Sequence, residues 1–108
     1  SEMCIRDSLQ TLAKDTRTLY GAEAKYLVAQ QLYKAGEYTA AEKEILNFID
    51  QSTPHAYWLA RSFVLLSDVY VAMDKKLDAR QYLLSLQQNY HADDDIEQMI
   101  NERLEKLK

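Results

Sequence analysis

Glycine and proline are scarce in this chain. Two Gly and one Pro among 108 residues leave few places for tight turns, and long helices are the economical organisation. Long apolar runs are missing too: runs such as residues 63–66 fall far short of the roughly 20 residues that a membrane helix needs. Positive charge is in short supply, with 13 Lys and Arg against 17 Asp and Glu and a net charge of −4, which opposes binding to a polyanion such as DNA. Two isolated glycines cannot build a phosphate-cradling loop, and neither His-Glu-x-x-His nor Cys-x-x-Cys spacing occurs. These absences argue against membrane insertion, nucleic-acid binding and catalysis. No catalytic residue, metal ligand, cofactor or small-molecule substrate is expected.

What the chain does have is a globular composition, 47% hydrophobic and 28% charged, and an internal period. Sliding it along itself by 38 residues sets Val28 on Leu66, Leu32 on Tyr70, Ala41 on Ala79, Ile45 on Leu83, Leu46 on Leu84 and Phe48 on Leu86. Apolar meets apolar in every pair. A period of that size, built from two helical halves, marks an array of helical hairpins. The expected fold class is all-α.

Residues 1–8 stand apart. Ser1-Glu2-Met3-Cys4-Ile5-Arg6-Asp7-Ser8 resembles the in-frame translation of the transposon adapter used to prepare sequencing libraries. It is expected to be an artefactual leader outside the fold, the alternative being a real first turn of a helix. On the leader reading the single cysteine, Cys4, says nothing about redox compartment, and the chain is expected to be the C-terminal fragment of a longer protein. Residues 9–21 are expected to be the remnant of a preceding hairpin, with Leu9, Leu12 and Ala13 on one face and a break at residues 15–18.

Five helices are expected after that. The first spans 22–35 and is closed by Gly36 in the left-handed conformation. The second starts at Thr39, where Thr39 and Glu42 have capping-box spacing, and turns Ala41, Ile45 and Phe48 towards Val28, Ala29 and Leu32. Ala29 and Ala41 are small where the two backbones come closest. The third takes Thr53 as cap and Pro54 as first residue and runs to Met73, with Trp58 or Leu59, Phe63, Leu66, Val69 and Tyr70 inward. Asp74 then stands where a second glycine corner would be. The fourth helix spans 77–89 and closes with Ala79, Leu83 and Leu86. The fifth, capped by aspartates 93–95, reaches Leu107 with Ile96, Met99, Ile100 and Leu104 on one stripe.

Ala29 and Leu32 before Gly36, then Tyr38, Ala41, Phe48 and Pro54, together resemble the tetratricopeptide repeat, a helix–turn–helix unit of about 34 residues. The resemblance covers a TPR-like domain over 22–108, with repeats at about 22–54 and 55–90 and a capping helix at about 93–107. The chain departs from the pattern in Lys25, where a large aromatic is frequent, in Asp74, where a glycine is expected, and in about four additional residues per repeat. Those departures fit a divergent bacterial relative. The resemblance implies a short right-handed solenoid of antiparallel hairpins, acting as a non-enzymatic scaffold for a peptide or protein partner held in a concave groove. Carried onto this chain, the groove residues are Tyr26, Gln30, Tyr33, Lys34, Arg61, Val64 and Asp68. The clamp with which some members hold a C-terminal carboxylate is not expected, because Tyr26, Leu27 and Leu65 occupy its positions. Relatives of this kind are frequent in the bacterial envelope, and a cytoplasmic home stays open.

Other assignments compete with these. The tyrosines of the groove could pack under a missing upstream repeat, and the whole chain could be a structural spacer or oligomerisation segment with no groove ligand. His91 with Asp93, Asp94 and Asp95 could hold a divalent ion, or the aspartates could cap the last helix. Trp58 is either core or a ligand platform.

Overall fold

The computed structural model describes residues 2–108, with side chains from residue 5 onward. Among the described residues the fold is all-helical: α1 (Glu2–Leu12), α2 (Leu19–Lys34), α3 (Tyr38–Asp50), α4 (Ala56–Ala72), α5 (Lys76–Asn89) and α6 (Ile96–Lys106). Of the expected leader, Ser1 and the side chains of residues 2–4, Cys4 among them, lie outside the described residues. Residues 5–8 continue α1 without a boundary at Ser8, and Arg6 pairs with Glu37 at 3.3 Å.

Helices α2 and α3 form one hairpin, α4 and α5 a second. Their antiparallel sense is visible in the first, where Tyr33 meets Tyr38 across the corner and Lys25, further back in α2, reaches Glu44 (2.7 Å) and Asn47 (2.8 Å), further on in α3. Most of the expected inner faces are buried, with Phe63, Met99 and Leu104 only partly so. Ala29, Ala41 and Ala79 are all enclosed, as are Val28, Ile45, Phe48, Leu66, Val69 and Leu83. The six pairs aligned by the 38-residue shift share their environment, including the one that does not belong to the core: Leu46 and Leu84 are 36% and 37% exposed. One core joins α2, α3, α4 and the start of α5. A second joins Ala60 and Val64 of α4, Leu83 and Leu86 of α5, and Ile96 and Ile100 of α6. Helix α4 is common to both.

The two hairpin corners are built alike, although Asp74 stands where a second glycine is expected. Gly36 has φ +79° and Asp74 φ +60°, both left-handed. At the first corner the Gly36 and Glu37 amides donate to the Tyr33 and Leu32 carbonyls at 3.0 and 2.9 Å; at the second, Asp74 and Lys75 donate to Val71 and Tyr70 at 3.1 and 2.7 Å. This is the Schellman termination at positions related by the period. Aspartate tolerates the left-handed region better than most side chains, so it substitutes for glycine here.

Three start signals fall differently from expectation. Helix α3 begins at Tyr38, since the Schellman turn delivers Glu37 directly into the capping position; Thr39 lies inside the first turn and the capping box with Glu42 does not form. Helix α4 begins at Ala56 after His55, because the Thr53 hydroxyl is engaged elsewhere, accepting from the His55 amide (3.2 Å) and donating to the Thr16 carbonyl (2.6 Å). Helix α2 begins at Leu19, three residues early, because Thr18 is the cap and its hydroxyl accepts from the Gly21 amide at 2.9 Å. Gly21 is needed in that turn: a Cβ there would sit 1.8 Å from the Asp15 carbonyl oxygen. Leu12, expected on the inner face of its helix, is exposed.

If the corners are equivalent, their substitutions should have opposite signs. Gly36→Ala is expected to lower stability by about 1 kcal/mol, by forcing a Cβ into the left-handed region. Asp74→Gly should raise it by about 0.5 kcal/mol for the converse reason. Urea unfolding of the two variants against the parent checks both.

Candidate functional site

Helices α2 and α6 each lie against α4 without touching one another, and the strip of α4 between them is the floor of a cleft. All seven residues expected to line a groove meet there. They surround a cavity of about 160 Å3 with Leu65, Met99 and Arg103. A larger cavity of about 480 Å3 adjoins it, sharing Tyr33, Asp68 and Arg103 and continuing over Ser67, Val71 and Leu83 to Lys76 and Lys106.

The seven are not equally available. Tyr26 and Val64 are 4% and 1% exposed, so they form the wall and floor of the cavity rather than the open contact surface expected. Arg61 is wired into the fold: its Nη1 donates to the Tyr57 hydroxyl at 2.8 Å and its Nη2 to the Tyr26 hydroxyl at 3.1 Å. The guanidinium carbon lies 5.0 Å from the Tyr26 ring centre and within 6 Å of those of Tyr57 and Trp58, a cation–π arrangement, while its nearest carboxylate, Asp95, is 3.9 Å away. Burial works against the Arg61 charge, yet the Tyr57 and Tyr26 phenols outweigh it and its pKa is raised. Asp68 is taken by Arg103 of α6 in a two-pronged pair at 2.9 and 3.0 Å. Gln30 donates to the Tyr26 hydroxyl at 3.3 Å, and Tyr33 is half-buried beside Tyr38. Lys34 remains exposed, with no ion pair among the described residues.

Around the smaller cavity Leu65, Met99 and Arg103 were outside the expected groove set, the last two on the helix expected only to cap, and in the larger lobe Lys76 and Lys106 were also missed. One signal was present: Arg103 follows Asp68 by 35 residues, the same separation as Arg61 from Tyr26. Neighbouring segments are tied in this way along the whole chain. Thr16 bonds Gln51 at 2.7 Å across 35 residues, His55 meets the Arg17 carbonyl at 2.9 Å across 38, and Tyr57 donates to Asp95 at 2.9 Å across 38.

The other candidate cluster disperses. His91 Nε2 faces the Gln88 carbonyl, Asp94 accepts from the Ile96 amide at 2.9 Å at the start of α6, and Asp95 turns to Tyr57 and Arg61. Among the described residues no three His, Cys, Asp or Glu side chains converge. Trp58 is partly buried against the first core, its ring 5.5 Å from that of Tyr26. Among the described residues no helix is long and apolar enough to cross a membrane.

No family model, curated protein or solved structure matches this chain.

Tyr33, Tyr57 and Tyr90 titrate high. Burial, then Asp68 and Tyr38, raise Tyr33, against the pull of Arg103; burial raises Tyr57; burial and the hydrogen bond to Asp94 push Tyr90 up to about 12 from 10.0. A raised phenol keeps its proton longer in the folded state, so its contribution is complete below pH 10 and is lost as pH rises through 12. Thermal stability should therefore fall steeply across that interval. Tyr90→Phe should remove the component whose tyrosinate absorbance has its midpoint near 12, which an ultraviolet titration reads directly.

Proposed function

We propose that this chain is a divergent tetratricopeptide-type scaffold: a short right-handed solenoid of two hairpins with α6 as its terminal helix, which holds a peptide or protein partner in the cleft formed by α2, α4 and α6 and carries out no chemistry. The observation that carries the reading is the convergence of all seven groove residues, chosen from the repeat pattern alone, on one cavity. Further support comes from the equivalent burial of the six pairs 38 residues apart, the twin Schellman corners and the order of helix contacts, in which α2, α4 and α6 follow one another while α3 and α5 stay apart. Non-enzymatic action fits a site whose strongest groups, Arg61 and Asp68, are committed to positioning neighbours rather than left reactive. Nucleic acid is not the expected partner, given the net charge of −4.

The test uses residues that the fold does not need. Peptides enriched from a random display library on this chain should shift backbone amide resonances of α2, α4 and α6 and spare α3 and the outer face of α5. The exposed substitution Lys34→Glu should weaken the enriched peptides by about tenfold while the melting temperature stays within about 2 °C. Shifts confined to the outer helices would remove the cleft from consideration.

A second reading has one observation in its favour. Ile5 and Leu12 of α1 and Leu19 and Tyr20 at the start of α2 are exposed, Tyr20 at 72%, although Trp58, one period later, is packed against Tyr26. An oligomerisation segment would bury that edge. Under it, sedimentation should show a concentration-dependent dimer that Tyr20→Lys abolishes; a monomer throughout the accessible range removes this alternative.

A further inference from the structure

Resting on the peptide-binding role proposed above, we infer that the cleft selects an acidic segment, placing an internal Glu or Asp side chain of the partner in the smaller cavity and further carboxylates over Lys76 and Lys106. Size is the first ground. About 160 Å3 lies below the few hundred Å3 typical of small-molecule sites, so the smaller cavity admits a side chain rather than a metabolite. The rest of the partner must then run outward, and the contiguous 480 Å3 lobe gives it a path.

Charge is the second ground. The two lobes are lined by five cations, Lys34, Arg61, Arg103, Lys76 and Lys106, against two carboxylates, Asp68 and Glu102. The excess of three positive charges sits in a chain whose total is −4. Asp68 does not offset the free cations, since Arg103 already neutralises it in a bidentate pair. Among the described residues Lys34, Lys76 and Lys106 have no ion pair of their own. A basic cleft in an acidic protein attracts acidic segments and disfavours basic ones, at close range and during approach.

Hydrogen-bond capacity is the third. The buried Tyr26 hydroxyl accepts from Gln30 and from Arg61, and among the described residues its own hydrogen has no acceptor. Arg61 beside it is held by neutral phenols, with its one carboxylate at 3.9 Å and half exposed, so much of its charge is uncompensated by the fold. A phenol that can only donate, next to a partly desolvated guanidinium, suits an incoming carboxylate oxygen. The donors face a side chain entering from the cleft, so a free C-terminus is not required.

Capped peptides test this: an acidic pool in which Glu and Asp alternate with Leu and Ala, the same pool with Gln and Asn for the acids, and a Lys pool, each labelled for fluorescence anisotropy. The acidic pool should bind about tenfold or more tightly than the amide pool. Its affinity should fall by a similar factor between about 50 and about 500 mM salt. Lys34→Glu with Lys106→Glu should abolish the preference, with Lys34→Gln and Lys106→Gln intermediate and all variants melting with the parent. Equal binding of acidic and amide pools overturns the inference and leaves the peptide-binding role standing. Binding of no pool overturns both.

Discussion

Helix α4 has to be buried on two sides at once, and most of the structure follows from that demand. Leu65, Leu66 and Val69 face the core shared with α2 and α3, while Ala60 and Val64 face the core shared with α5 and α6. Two serines are tolerated in so enclosed a helix because Ser62 and Ser67 return their hydroxyls to carbonyls of the preceding turn, Trp58 at 2.9 Å and Val64 at 2.6 Å. Only two charged residues occur in α4, Arg61 and Asp68. They lie two turns apart and so share one face, the strip that the four neighbouring helices leave uncovered. Each is engaged from a different side, Arg61 by Tyr26 of α2 and Asp68 by Arg103 of α6. The cleft exists where this helix could not be covered, and its polar groups are those the uncovered strip can carry.

The hairpins share geometry without sharing chemistry. In the first, Lys25, Glu44 and Asn47 close the outer seam with an ion pair and a hydrogen bond. One period later the same three positions hold Phe63, Tyr82 and Ser85, and the seam closes with rings 6.0 Å apart, extended by Tyr70 at 5.6 Å from Tyr82. The departure at Lys25 is thus compensated by its partners across the hairpin. The lysine is 8% exposed, its apolar stem enclosed and its ammonium met by two acceptors. Either solution satisfies the requirement that nothing polar be left unpaired in a hairpin seam.

Periodic burial was the legible part of the sequence. The faces Ala41–Ile45–Phe48 and Ala79–Leu83–Leu86 follow from helical spacing, and the period pairs them correctly because both face the same kind of neighbour. Local capping was less legible: Thr18, Thr39 and Thr53 are all plausible caps, and which one acts depends on how the previous turn delivers the chain and on partners such as the Thr16 carbonyl. The site was legible as a location and not as a set of free side chains. Tyr26 and Val64 fall on the cleft strip by spacing, but their burial is imposed by Trp58, Arg61 and α6, which sequence distance conceals. Arg103 was missed because it belongs to the last helix yet completes a surface begun in the second, with only its 35-residue separation from Asp68 to signal the contact.

Among the described residues, every side-chain hydrogen bond joins positions no more than 38 apart in the chain. No bond therefore closes a loop longer than one hairpin with its connection, which is the regime of low contact order and rapid assembly from local pieces. The same feature makes the architecture tolerant of changes in length. Another hairpin inserted between existing ones would renew the ladder of neighbour contacts instead of severing any distant bond, so duplication and deletion by whole units are open routes for a chain of this kind to lengthen, shorten and acquire new surfaces.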